Sequence, residues 1–144
     1  MRFFKIAILF LFSALLVGCA HKSLIGHSSA YADLLKKIHA NDVFITKNNK
    51  AIIFKVANNV LFKQNSVNFN TQTYETLEFM LDFSNYCEID EISIAGYGKN
   101  KFIMTERAHK IGEYLWHARV NTNFVYSYSN NDKDDCIIIK YSLI

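Results

Sequence analysis

The sequence predicts an α+β fold in two layers, a mixed β-sheet covered on one face by helices. Three observations predict it. Runs rich in β-branched and aromatic residues recur at 43–46, 51–57, 89–95, 123–129 and 136–143. Segments with apolar residues at helical spacing fall between them, over 71–84 and 105–117. The resulting order, with the first two runs joined as a hairpin, is strand, helix, strand, helix, strand, strand, which suits a sheet backed by helices. At 144 residues and 51% hydrophobic, the chain has material for one compact domain.

Taken in order, Ser28-Ser29 can cap a helix to about Ala40, within a helical segment assigned to 29–42. Tyr31, Leu34, Leu35 and Ile38 fall on one side of it, Asp33, Lys36 and Lys37 on the other. Val43–Thr46 and Ala51–Ala57 flank Asn48-Asn49, whose side chains favour a turn, so a hairpin is expected. After Leu61-Phe62 and a polar loop, Asn70 or Thr71 can cap a helix to about Ser84 with Tyr74, Leu77 and Leu81 on its apolar side. Ile89–Ala95 reads as a strand that Gly96-Tyr97-Gly98 breaks. Thr105 can begin a helix reaching about His117 and burying Ala108, Ile111, Gly112 and Leu115. Asn123–Ser129 and Cys136–Leu143 close the fold on either side of the polar run Asn130–Asp135.

The N-terminus has a different logic. Arg2 and Lys5 precede an apolar stretch from Ile6 to Val17, which small Gly18 and then Cys19 terminate. Charge, apolar run and cleavage site in that order describe a secretory signal, and the run is shorter than the roughly 20 residues a membrane-spanning helix needs. Leu16-Val17-Gly18-Cys19 resembles the lipobox of bacterial lipoproteins. That resemblance implies a signal peptide over 1–18, acylation of Cys19 and a tether over 19–28. With Ala20 rather than aspartate after the cysteine, it also implies an outer-membrane anchor with the domain 43–144 facing the periplasm. Removing Arg2 and Lys5 from the 16 basic residues leaves 14 against 13 acidic ones, a net charge of +1. Near-neutrality without clustered Lys and Arg argues against nucleic acid as a partner. Cys87 and Cys136 remain in a compartment that permits disulfides, and they read either as a bridge or as two core thiols.

The run Asn100, Ile103, Met104, Arg107, Ala108, Ile111, Leu115 resembles the helix signature of OmpA-like domains, the family that includes peptidoglycan-associated lipoproteins and MotB-type stators. The family pattern has Asn, Leu-Ser, Arg-Ala, Val and Leu at the same intervals. Leu61-Phe62 with Asn65-Ser66-Val67 resembles its first strand and Phe-x-x-x-Ser segment, Ile92–Gly96 its central strand, and Asp134–Ile139 its last strand. The resemblance covers residues 51–144 and implies a non-catalytic domain that grips the diaminopimelate of peptidoglycan. In the family an aspartate answers the ammonium and the signature arginine, here Arg107, answers the carboxylate. The family's aspartate has no counterpart in Gly96-Tyr97-Gly98-Lys99, Met104 stands for the signature serine, and Asp134-Asp135 replace the final arginine pair. A reduced ligand site around Asn100, Arg107 and Tyr97 is therefore the expectation. Small lipoproteins of Dot/Icm type IV secretion systems with reduced OmpA-like domains are similar in size and plan. They imply the alternative of a structural subunit whose partners are secretion-system proteins.

Local chemistry bears on the same residues. In the first turn of a helix beginning at Thr105, Arg107 would be disfavoured by about 0.3–1 kcal/mol against the positive end of the helix. A ligand carboxylate would offset this, as would Glu106, Asp134, Asp135 or plain solvation. Tyr97, between two glycines, reads either as a stacking surface for a glycan or partner or as a roof over the shortened loop. Phe102 and Trp116 read as core or as protein interface. His109, Glu113 and His117 share a helical stripe with zinc-like spacing, but it lies opposite the apolar face and reads as ordinary charged surface. No nucleophile elbow, phosphate loop or catalytic carboxylate pair stands out, so neither an enzyme, a cofactor nor a metal is expected.

Overall fold

The computed structural model describes residues 43–118, 120–131 and 133–144. The signal peptide, Cys19, the tether and the helix assigned to 29–42 lie outside the described residues. The elements run β1 (Val43–Lys47), β2 (Ala51–Ala57), α1 (Asn58–Leu61), α2 (Thr73–Tyr86), β3 (Ile89–Tyr97), α3 (Lys101–His117), β4 (Asn123–Ser129) and β5 (Cys136–Leu143). The sheet order is β1-β2-β5-β3-β4, antiparallel throughout except for the parallel β3–β4 pair that α3 connects. This is the mixed sheet and the element order expected, with α1 added.

The hairpin forms where the asparagines stand. Asn48 Oδ1 accepts from the backbone N–H groups of Lys50 and Ala51, both at 2.8 Å, so the side chain itself makes the turn. Register then decides the faces. Ile52, Tyr141 and Ile92 are aligned across β2, β5 and β3, as are Phe54, Ile139 and Ile94, and all six are fully buried. The alternate residues Ile53, Lys55, Ile138, Lys140 and Ser93 are half-buried or exposed on the other face.

Both long helices cover the first face. From α2, Phe79 and Phe83 meet Phe54 edge-on, with ring centroids 6.4 and 5.5 Å away, and the Tyr141 hydroxyl donates to Met80 O at 3.1 Å. Burial pushes the Tyr141 phenol well above its ordinary range, which keeps it a neutral donor. From α3, Met104 lies against Gly96, and Gly112 leaves a notch for the Tyr126 hydroxyl. A Cβ at Gly96 would stand 2.7 Å from Met104 O, a backbone atom that moves only if the helix moves. Gly96→Ala should therefore cost about 1–3 kcal/mol in urea unfolding, and an unchanged midpoint would show that α3 sits less tightly than this.

Three expectations are corrected. Leu61-Phe62 is not the first strand of the sheet: Leu61 ends α1, and Phe62 makes only an isolated bridge to Phe69, so β2 takes that place. The buried face of α2 is Thr73, Thr76, Leu77, Phe79, Met80 and Phe83; of the expected Tyr74, Leu77 and Leu81 only Leu77 is buried, and Tyr74 is exposed beside Phe69 and Tyr114. α3 begins at Lys101, not Thr105. Of the two readings left open for Cys87 and Cys136, a bridge or two thiols, the structure has free thiols. Register explains why: Cys136 is level with Tyr97 at one end of β3, while Cys87 precedes Ile89 at the other, more than about 20 Å away at ~3.3 Å per residue.

Candidate functional site

A cleft of about 720 Å³ opens at the end of the sheet where β2 stops and β5 starts. Its walls are α1, the loop 62–70, the first two turns of α3 and the loop between β4 and β5. Each wall is fixed by a polar side chain. Asn70 Nδ2 donates to Asn59 O at 2.6 Å and Phe62 O at 3.0 Å, and Thr73 Oγ1 donates to Leu61 O, so the start of α2 holds the loop onto α1. Asn65 supplies the left-handed residue the loop needs, with φ 49°.

Asn100 is the N-cap of α3, its Oδ1 accepting from Ile103 N at 3.1 Å. It lines the cleft, yet its side-chain oxygen is committed to the helix. Arg107 lies in the second turn, so the unfavourable position expected from a helix starting at Thr105 does not arise. Its side chain is 4% exposed, with Nε donating to Ser66 O at 2.8 Å, Nη2 to Lys63 O at 3.2 Å, and the guanidinium 4.9 Å above the Phe62 ring. Burial lowers its pKa, and the negative charge of Asp135 opposes that shift. Among the described residues Arg107 is in no ion pair. Its first role is to pin the loop 63–66 against α3, with one edge left to the cleft.

Tyr97 does not line the cleft. Gly96 faces α3, so the next residue along β3 points to the opposite face, and only the Tyr97 carbonyl reaches the site, 3.5 Å from Asn58 Nδ2. Phe102 and Trp116 are 72% and 58% exposed on α3, which removes core packing from their possible roles. The His109, Glu113 and His117 stripe does not converge: His109 stacks on Tyr126 with centroids 4.0 Å apart, while His117 pairs with Glu113 at 3.8 Å in solvent.

Two further residues, Asn58 and Asp135, line the cleft beyond the site groups that the sequence picks out. Asn58 is 2% exposed, and its Nδ2 donates to Asp135 Oδ1 at 2.6 Å while its backbone N–H donates to Asp135 O at 3.1 Å. In the sequence Asp135 reads as an internal partner for Arg107 and as one of the two acids that replace the family's final arginine pair. The available signal was Asn58-Asn59 directly after an apolar strand, where chain that must turn across the sheet end needs polar side chains to satisfy its backbone. Beside it, Asp134 is engaged by Lys55 at 3.3 Å and by Asn131 Nδ2 at 2.9 Å. Lys63, Lys99 and Lys133 complete a basic rim.

No family model matches the chain, and no curated protein does. Solved structures match it along most of its length. The cell wall anchor of the T6SS from Pseudomonas aeruginosa is 12% identical, with a TM-score of 0.68 over 77% of this chain and 94% of that one. A putative MotB-like protein from Desulfovibrio vulgaris is 13% identical, with a TM-score of 0.65 over 84% and 93%. The periplasmic domain of Helicobacter pylori MotB is 16% identical, with a TM-score of 0.61 over 70% and 79%. At these identities the shared property is the fold, and that fold is OmpA-like.

Proposed function

We propose, from the OmpA-like fold, that this chain is a non-catalytic periplasmic envelope protein, acylated at Cys19 in the outer membrane, whose domain binds peptidoglycan in the cleft beneath α3. The acyl chains hold one end and the cleft holds the other. The observation that carries the reading is the cleft itself: a polar, basic-rimmed opening with the signature arginine in its wall, in a fold shared with a protein described as a cell wall anchor. Basic groups around a cavity of this size suit the carboxylates of a peptide stem better than they suit neutral sugar.

Sedimentation with purified sacculi tests this. The wild-type chain should pellet saturably and be released by free diaminopimelate. A chain that stays in the supernatant at all sacculus concentrations does not bind the wall.

One observation favours a second reading, that of a structural subunit of an envelope-spanning secretion machine. Two of the Arg107 donor groups are already occupied by loop carbonyls, and Phe102 and Trp116 stand exposed on the outer side of α3, where aromatic side chains supply protein contacts. Absence from sacculi, together with co-purification in a large membrane assembly, would select that reading.

A further inference from the structure

We propose that the free edge of β4 and the adjoining flank of α3 form a self-association surface, on which a second copy of this chain pairs about a two-fold axis. This does not depend on what the cleft binds.

The strand supplies one layer of the surface. Among the described residues β4 has only β3 as a neighbour, so its other edge is unpaired. Ser129 O accepts from Gly98 N on the β3 side, and successive residues of a strand alternate, so the backbone groups of Phe124, Tyr126 and Tyr128 face outward. Free edges are ordinarily blocked by charge, proline or a bulge. Asn123-Phe124-Val125-Tyr126-Ser127-Tyr128-Ser129 has no charge and no proline, and its register with β3 is unbroken. A second copy of the strand can lie antiparallel to it with Tyr126 on the axis. Phe124 then exchanges hydrogen bonds with Tyr128 of the copy, and Val125 stands opposite Ser127 of the copy.

The helix supplies the other layer. Phe102, His109 and Trp116 recur at heptad spacing along α3, and all three are exposed. His109 lies midway between the two aromatic residues and stacks on Tyr126 with ring centroids 4.0 Å apart. The axis through the centre of the strand therefore also passes the centre of the helical stripe, and it sets Phe102 of each copy opposite Trp116 of the other. Beside Trp116 is a shallow groove of about 340 Å³ lined by His109, Gly112, Glu113, Trp116, Phe124 and Tyr126. Gly112 leaves it without a side chain at its floor, and Phe102 of the copy enters it as a knob enters a hole.

Spacing and charge agree with this pairing. α3 reaches β3 through Met104 on Gly96 and β4 through Gly112 at the Tyr126 hydroxyl, so it lies over both strands. Its axis is then about one strand spacing, ~4.8 Å, from the two-fold. Two such helices stand about 10 Å apart, the contact distance of packed helices. Glu106 and Glu113, the acids beside the stripe, fall opposite Gly112 and Thr105 of the copy, so no like charges are opposed. A single axis that matches both layers is what a symmetric partner requires and an unrelated one does not. The cleft is lined by the other flank of α3, at Ile103 and Arg107, and stays open.

The test is the mass of the full chain in non-ionic detergent, measured by light scattering with correction for bound detergent across a dilution series. The wild type should be a dimer that dissociates on dilution. Phe102→Glu with Trp116→Glu sets acids against each other at exposed positions, so this variant should keep its circular dichroism and dissociate at least tenfold more readily. Phe102→Lys with Trp116→Glu pairs opposite charges across the axis and should recover most of the loss. Val125→Cys with Ser127→Cys should give a disulfide-linked dimer on mild oxidation, because residues so opposed have Cα atoms about 4.5 Å apart. Either cysteine alone meets its copy only on the diagonal and should not cross-link. A monomer at every concentration overturns the proposal, as does a dimer that the double glutamate leaves intact, or a double-cysteine chain that cross-links no better than the single ones. A double-glutamate chain that loses another envelope protein while its own mass is unchanged assigns the surface to that protein and equally overturns the proposal.

Discussion

Arg107→Ala should destabilise the domain by about 3 kcal/mol, a loss measurable by urea unfolding followed by far-UV circular dichroism. The guanidinium makes two hydrogen bonds to loop carbonyls, at 2.8 and 3.2 Å, and lies over Phe62. Hydrogen bonds to charged groups contribute roughly 1.5–3 kcal/mol each. Burial of the charge, visible in its lowered pKa, takes part of that back. After truncation Lys63 O still accepts from Ser66 N at 3.2 Å, but Ser66 O loses its side-chain donor and Phe62 loses its cover. Arg107→Lys should recover less than half, because one ammonium cannot reproduce the planar fork that reaches both carbonyls. Amide exchange should quicken locally over residues 63–70, whose anchoring depends on this side chain. A destabilisation below about 0.5 kcal/mol, ordinary for a surface substitution, would show that the arginine does not hold the loop.

This expectation changes how a binding experiment on Arg107 is read. Loss of wall binding by Arg107→Ala would report a collapsed cleft wall as readily as a lost ligand contact. Asp135, exposed and joined to the fold through one neutral amide, is the cleaner probe of chemistry.

What was legible in the sequence divides along physical lines. The buried stripe of α3, Ala108, Ile111, Gly112 and Leu115, follows directly from 3.6-residue spacing, and β4 and β5 fall where β-branched and aromatic residues are densest. The start of α3 did not follow, because Asn100 and Thr105 are both good caps and only the hydrogen bond to Ile103 N decides between them. In α2 the core face includes Thr73 and Thr76, whose hydroxyls find carbonyl partners, so an apolar-only pattern drew the stripe one position away. For the site, the arginine was legible from its motif but its depth was not. That depth is set by loop carbonyls at Lys63 and Ser66, and backbone acceptors have no sequence signature. Tyr97 and the cysteine pair each left two readings open for a common reason: choosing between them depends on strand register and on how far β3 extends, which residue type alone does not specify.

Phe54→Ala carries the largest expected loss, about 4 kcal/mol, within the ~3–5 kcal/mol range of buried phenylalanine truncations. The ring is fully buried at the centre of β2, in register with Ile139 of β5, and it meets three aromatic neighbours from two layers: Phe79 and Phe83 on α2, and Tyr141 on β5 with centroids 5.2 Å apart. All three contacts are edge-on, the arrangement in which the positive rim of one ring meets the negative face of another, each adding roughly 0.5–1.5 kcal/mol beyond buried area. Removing the ring opens a cavity between sheet and helix that the antiparallel pairing of β2 with β1 and β5 keeps from closing. For a domain of this size each kcal/mol shifts the melting temperature by about 4–8 °C, so a fall of roughly 15–30 °C is expected. Phe54→Leu keeps most of the volume without the quadrupole and should cost about 1.5 kcal/mol. Similar melting temperatures for the alanine and leucine variants would show that α2 relaxes onto the sheet. In that case the α1–α2 segment, and with it the loop wall that Arg107 pins, is less rigidly seated than the ring geometry implies.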